Sequence, residues 1–194
     1  MKKLVYTINL LLFVFLLSFS SAQAEGMHVV KTDHPRDTME TFMSAMNDYR
    51  TGIQDKNKEL QNRIHDAVQT LDLSEVPFML RKEKGAETAI YIKEIIDRSF
   101  IVDYKFIPED TELKYWRLPK LSLRISKVED GERKGEFLFS RSSVETAARI
   151  FFQIQNKPFL KGSGEGGAYK QPWQDKFIPA WSKTKFLGIF IWQW

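Results

Sequence analysis

The sequence predicts an α+β domain in which helices come before and after a small antiparallel sheet. Three observations lead there. Two stretches between residues 33 and 70 carry apolar side chains at helical spacing. An alternating run from Leu121 to Ser126 follows, with Asp130-Gly131 behind it as a hairpin turn. A further helical period starts near Val144. Helices, then strands, then a helix is the segregated order of α+β folds. The 194 residues suffice for one domain with a real core. At 43% hydrophobic and 28% charged, the chain is globular in composition, not disordered.

Residues 1–24 read as an export signal. Lys2 and Lys3 form its positive start, Leu4 to Phe19 its apolar segment, and Ala22-Gln23-Ala24 its cleavage site. An uncleaved anchor is the rival reading, but an apolar run of about 16 residues is short for a span. A periplasmic location is therefore expected. Without Lys2 and Lys3, 27 basic residues face 25 acidic ones, a net charge of +2. That balance, with no basic stripe among stacking aromatics, argues against nucleic acid as a partner. Cysteine is absent. Disulfides, thiolate chemistry and Cys-based zinc sites are excluded, and the redox compartment stays open.

The domain proper is expected over 25–160. Its first helix begins near Asp33 and Pro35 and ends at Gly52, with Met39, Phe42, Ala45, Met46 and Tyr49 on one face. A charged linker, Gln54 to Lys58, separates it from a second helix over Lys56–Thr70, with Leu60, Ile64, Ala67, Val68 and Leu71 on one side. The stretch Leu71–Arg98 is central. Asp72 and Ser74 suit a capped turn, Pro77 sits near the start of it, and Gly85 is expected to break the chain. From Ala86, Ala89, Ile92, Ile95, Ile96 and Ser99 recur at helical spacing, leaving Glu87, Lys93, Glu94 and Asp97 mostly elsewhere. Asp97 and Arg98, being adjacent, point apart and are expected to pair with other elements.

Phe100 to Ile107 is β-rich, and Pro108-Glu109-Asp110 ends it. Leu121, Leu123 and Ile125 alternate with Ser122, Arg124 and Ser126 as in a half-buried strand, and Phe137 and Phe139 lie on the returning strand. Ser142 and Glu145 match a capping box for the last helix, with Val144, Ala148, Phe151 and Gln155 on one face and Ala147 and Ile154 beside them. A Gly-rich and aromatic connector, 161–185, leads to Phe186–Trp194. Those nine residues are too few to cross a bilayer. They resemble the first turns of an interrupted membrane helix, with Trp192 and Trp194 at interfacial depth; a C-terminal strand or helix packed on the domain is the alternative.

Little of this chain spells out chemistry. Gly162, Gly164 and Gly167 form G-x-G-x-x-G, but a helix and Pro158 precede them where a dinucleotide site needs a strand. A flexible connector explains them better. His28, His34 and His65 have no metal-ligand spacing. His65 with Asp72 and Ser74 makes a hydrolase constellation only by accident of folding, because no nucleophile elbow is present. No enzyme activity, cofactor or metal is expected.

Six motifs occur in order: DHPRDTMETFMSAM (33–46), LDLSEVP (71–77), EIIDR (94–98), WRLPK (116–120), GEFLFSRSSVETAARIF (135–151) and FLGIFIWQW (186–194). Together they resemble the extracytoplasmic N-terminal region of MscS-type (small-conductance) mechanosensitive ion channel proteins, over about 33–194. The resemblance implies a periplasmic sensing or assembly domain tied to the inner membrane. Phe186, Leu187, Ile189, Phe190, Ile191, Trp192 and Trp194 would then contact the bilayer or channel transmembrane helices, and a homo-oligomer is a possible assembly. In that family the pore and the cytoplasmic vestibule lie in later segments, so no pore residue carries over and the chain is expected not to conduct. The alternative is a soluble periplasmic ligand-binding or scaffold module, and a periplasmic hydrolase is the remote one.

Overall fold

The computed structural model describes residues 29–163 and two short strands, Lys185–Phe186 and Ile189–Phe190. The export signal at 1–24 and most of the 161–185 connector lie outside the described residues. The architecture is α+β, as the sequence predicts: four helices, a three-stranded antiparallel sheet, then a further helix.

Helix α1 spans Pro35–Gln54. Pro35 opens it where a missing N–H goes unneeded. His34 caps it, its Nδ1 accepting from the Asp37 N–H at 3.2 Å. The predicted face of Met39, Phe42, Ala45, Met46 and Tyr49 is buried. Gly52 does not end the helix. A Cβ there would lie 2.6 Å from Gln61 N and 2.8 Å from the Leu60 carbonyl carbon, so glycine is what lets the next segment lie against α1.

The expected second helix is two short ones, α2 (Lys58–Asn62) and α3 (Ile64–Gln69). Asn57 caps α2 through Oδ1, which accepts from Glu59 N and Leu60 N. The break falls at Arg63, whose guanidinium is tied back to Asp48 of α1 at 3.0 Å and to Asp66. The chain reorients there so that Ile64 and Ala67 enter the core. Residues 54–58 are exposed, as expected of a solvated linker.

Helix α4 spans Arg81–Ser99 and follows a 3-10 turn at Phe78–Leu80. Gly85 is inside the helix and does not break it. A Cβ on Gly85 would meet Val68 Cγ1 at 2.7 Å and Leu73 Cδ1 at 2.9 Å. Glycine is there for the close approach of α3 and the following loop, a packing demand that outweighs its weak helix propensity. Ala89, Ile92, Ile95 and Ile96 are buried as predicted.

Phe100–Ile107 is not a strand. It is a loop with a 3-10 turn at Tyr104–Phe106, started by the Asp103 carboxylate accepting from Lys105 N. Its end is pinned to α1: Arg36 Nε donates to Ile107 O at 2.9 Å and Arg36 N to Pro108 O.

The sheet runs β1 (Tyr115–Arg117), β2 (Arg124–Lys127), β3 (Phe137–Phe139), antiparallel and in that spatial order. Trp116 faces Ile125, and Ile125 faces Phe139. Gly131 turns the β2–β3 loop at φ +90°, as the Asp-Gly signal predicts. The outer edge of β3 is fully bonded. Phe137 N donates to Thr32 O at 2.7 Å, and Phe139 N to Thr70 O at 2.9 Å. The Phe137 carbonyl accepts from Thr38 Oγ1, and the Phe139 carbonyl from Asp72 N. The Phe139 and Phe42 rings meet at 4.9 Å and join the sheet to α1.

Helix α5 spans Arg141–Ile154. Its cap is Ser140, accepting from Ser143 N, and not the Ser142–Glu145 box. Ser140 leaves β3 in extended geometry and reaches the cap position first. Ser143, Ala147 and Ile150 face inward, and Phe151 stacks on Tyr91 of α4 at 4.9 Å.

Candidate functional site at the end of the long helix

The C-terminal half of α4 is buried on nearly every side, and it takes charges with it. Lys93 and Asp97 are both 0% exposed. Lys93 Nζ donates to both oxygens of Asp97 at 2.6 Å. Glu94, also buried, pairs with Arg98 one turn on. The expectation that these charges lie away from the apolar stripe is therefore corrected. The i,i+4 spacing that predicts surface ion pairs here builds them inside. Asp97 also departs from expectation in pairing within its own helix.

Burial sets the titration of this pair. Loss of solvent pushes the Asp97 carboxyl up to about 6, against the pull of the Lys93 ammonium. The same loss of solvent lowers Lys93, with the nearby Arg50 charge adding to it against the pull of Asp97. Arg50 approaches from α1, and its Nε is buried without a hydrogen-bond partner. Two opposite charges held this tightly are strongly coupled, and removing one takes from the other the partner that both its short hydrogen bonds join.

The chain's route toward its C-terminal segment is fastened to this end of α4. The Asp97 carbonyl accepts from Leu160 N at 2.9 Å and from Ser163 Oγ at 2.7 Å. Arg98 Nε donates to Lys157 O, and its guanidinium lies 3.6 Å over the Phe159 ring. Arg98 thus reaches another element, as expected.

Of the predicted contact residues, Phe186, Ile189 and Phe190 fall in a short antiparallel pair. Lys185 faces Phe190 and Phe186 faces Ile189, so these four residues are strand and not helix. Leu187, Ile191, Trp192 and Trp194 lie outside the described residues. Among the described residues, no helix is long and apolar enough to cross a membrane.

The hydrolase trio does not assemble. Ser74 Oγ donates to Asp72 Oδ1 at 2.6 Å, and Asp72 also accepts from Ser74 N and Arg141, so both residues make the turn. His65 is exposed on α3, and partial burial, then the Lys82 charge, lowers its pKa. The surface also holds two open grooves, of about 330 and 380 Å³, on the β1–β2 side of the sheet. The larger is lined by Tyr115, Arg124, Lys127 and Arg141 among others.

The burial of Lys93 and Asp97 does not follow from helical periodicity. The available signal is that Lys93 and Asp97 each follow an isoleucine of the buried stripe, Ile92 and Ile96, about one turn apart. No family model matches the chain, and neither does any curated protein or solved structure.

Proposed function

We propose that this is the extracytoplasmic sensing or assembly domain of an MscS-type mechanosensitive channel protein, not itself conducting, whose 186–194 segment meets the inner membrane or channel helices. The ordered motifs support this reading. The observation that carries it is the fastening of residues 157–163 to the end of α4. A pull on the C-terminal segment would load Asp97 and Arg98 first, and through them the long helix at its buried half. A domain that biases a channel's closed–open balance needs such a stiff path.

The space between sheet and helices is filled by Phe42, Phe137, Phe139, Met39 and Met46, which favours this reading over a small-molecule binder with an enclosed apolar pocket. The second reading, a soluble ligand-binding or scaffold module, draws on the open groove beside Arg124 and Arg141. Cell fractionation of the chain with and without 186–194 separates the two. Membrane association that depends on the segment is expected. Equal recovery of both forms in the soluble fraction would overturn the membrane reading.

A further inference from the structure

The opposite end of α4 carries an exposed apolar knuckle. Phe78 is 81% exposed, Met79 89% and Leu80 44%. Three consecutive large apolar side chains in water mark a contact surface. The knuckle is held in place, because Arg81 Nε donates to Val76 O at 3.0 Å and its guanidinium lies 5.9 Å from the Phe78 ring. Asp72 and Ser74 lock the turn before it. A basic collar follows at once: Arg81, Lys82 and Lys84, all exposed. Of the nearby acids, Glu75 is paired with Arg141 and Glu87 with Lys84, leaving Glu83 within the collar.

We propose that Phe78, Met79 and Leu80 insert into the interfacial layer of an anionic lipid bilayer, with Arg81 and Lys82 on the phosphates. The size selects lipid over protein. A stable protein interface needs on the order of 1,000 Å² of complementary surface, which three exposed residues do not supply. A bilayer takes up such a tip without a matching pocket, and cations beside it gain from anionic headgroups. This inference goes beyond the channel reading and stands on different residues from the 186–194 segment.

The chain has no cysteine, so Met79→Cys gives a single labelling site. The full chain carrying an environment-sensitive fluorophore at that site is mixed with vesicles of phosphatidylglycerol and phosphatidylcholine in equal parts. A blue shift is expected there, reversed by high salt and weaker on pure phosphatidylcholine. A label at Asp130→Cys, in the exposed β2–β3 turn, is expected not to shift. The double variant Phe78→Ser/Met79→Ser should bind these vesicles at least about tenfold more weakly, with its circular dichroism unchanged. A Met79 label that stays in water, whether or not the chain binds vesicles, overturns the inference and leaves the knuckle to a protein partner. Phe190→Ser/Trp192→Ser is expected to leave the Met79 shift in place. A shift lost in that variant means the C-terminal segment does the inserting, and it too overturns the inference without touching the channel reading.

Discussion

The two ends of α4 invert the usual rule of burial. In the 3-10 turn that leads into it, Phe78, Met79 and Leu80 stand in water; toward the finish, Lys93, Glu94 and Asp97 are shut away from it. Apolar side chains left outside cost little to keep there and little to remove. Charges taken inside are costly to bury and costlier to separate. One helix therefore has an end that tolerates change and an end that does not. The tolerant end is free to evolve contacts, and the intolerant one holds the chain's exit toward its C-terminus.

The sharpest test of that contrast is Asp97→Ala. It leaves the Lys93 ammonium buried with its carboxylate gone, and urea unfolding should show a loss of about 3–5 kcal/mol. Lys93→Met with Asp97→Leu together should lose less than the single variant, since both charges of the pair leave the interior together. A single variant as stable as the parent would end the contrast.

The next effect is in pH. Asp97 has a folded-state pKa of about 6, raised above its ordinary value of 3.8 by burial. The sign follows from linkage: a raised carboxyl stabilises below the unfolded pKa and loses that contribution as pH rises through about 6. Unfolding measured between pH 4 and pH 7 should therefore show the parent losing stability relative to Asp97→Asn as the pH rises. A flat difference between the two profiles would mean that the pair holds its charges without strain. Glu136, whose pKa is lowered chiefly by its hydrogen bond to Arg133, works in the opposite direction in both proteins and cancels in the difference.

Closer to the tolerant end, Gly85→Val should cost about 1–3 kcal/mol, because its Cβ must displace Val68 and Leu73. Smallest of all, Phe78→Ser/Met79→Ser should leave stability within about 0.5 kcal/mol, read by thermal unfolding. A large loss there would mean that the knuckle is part of the core.

The periodic parts of the molecule were legible because one force arranged them. The face from Met39 to Tyr49 and the Ile92–Ile96 stripe follow from hydrophobic burial alone, and so does the strand around Ile125. What escaped reading depends on a second element arriving. Gly52 and Gly85 look like helix stops until α2 and α3 come close enough to need them. Phe100–Ile107 has strand composition, but it turns at Tyr104–Phe106 and its last carbonyl, on Ile107, is taken by Arg36. Lys93 and Asp97 look solvated on a helical wheel until α1, α5 and the 157–163 segment enclose the same stretch. The cap at Ser140 is invisible without knowing where β3 ends. The knuckle is hidden in the sequence for a simpler reason: a short apolar run after proline resembles any core segment, and only the fold leaves it outside.

The bonded outer rim of β3 has a consequence for association. Thr32, Thr38, Thr70 and Asp72 occupy every main-chain group that Phe137 and Phe139 direct away from β2. Another copy of the chain has nothing to pair with on that side. Strand-to-strand growth of the sheet is left to β1, a rim of only three residues where pairing is short. Among the described residues the sheet is three strands wide and closed on its β3 side.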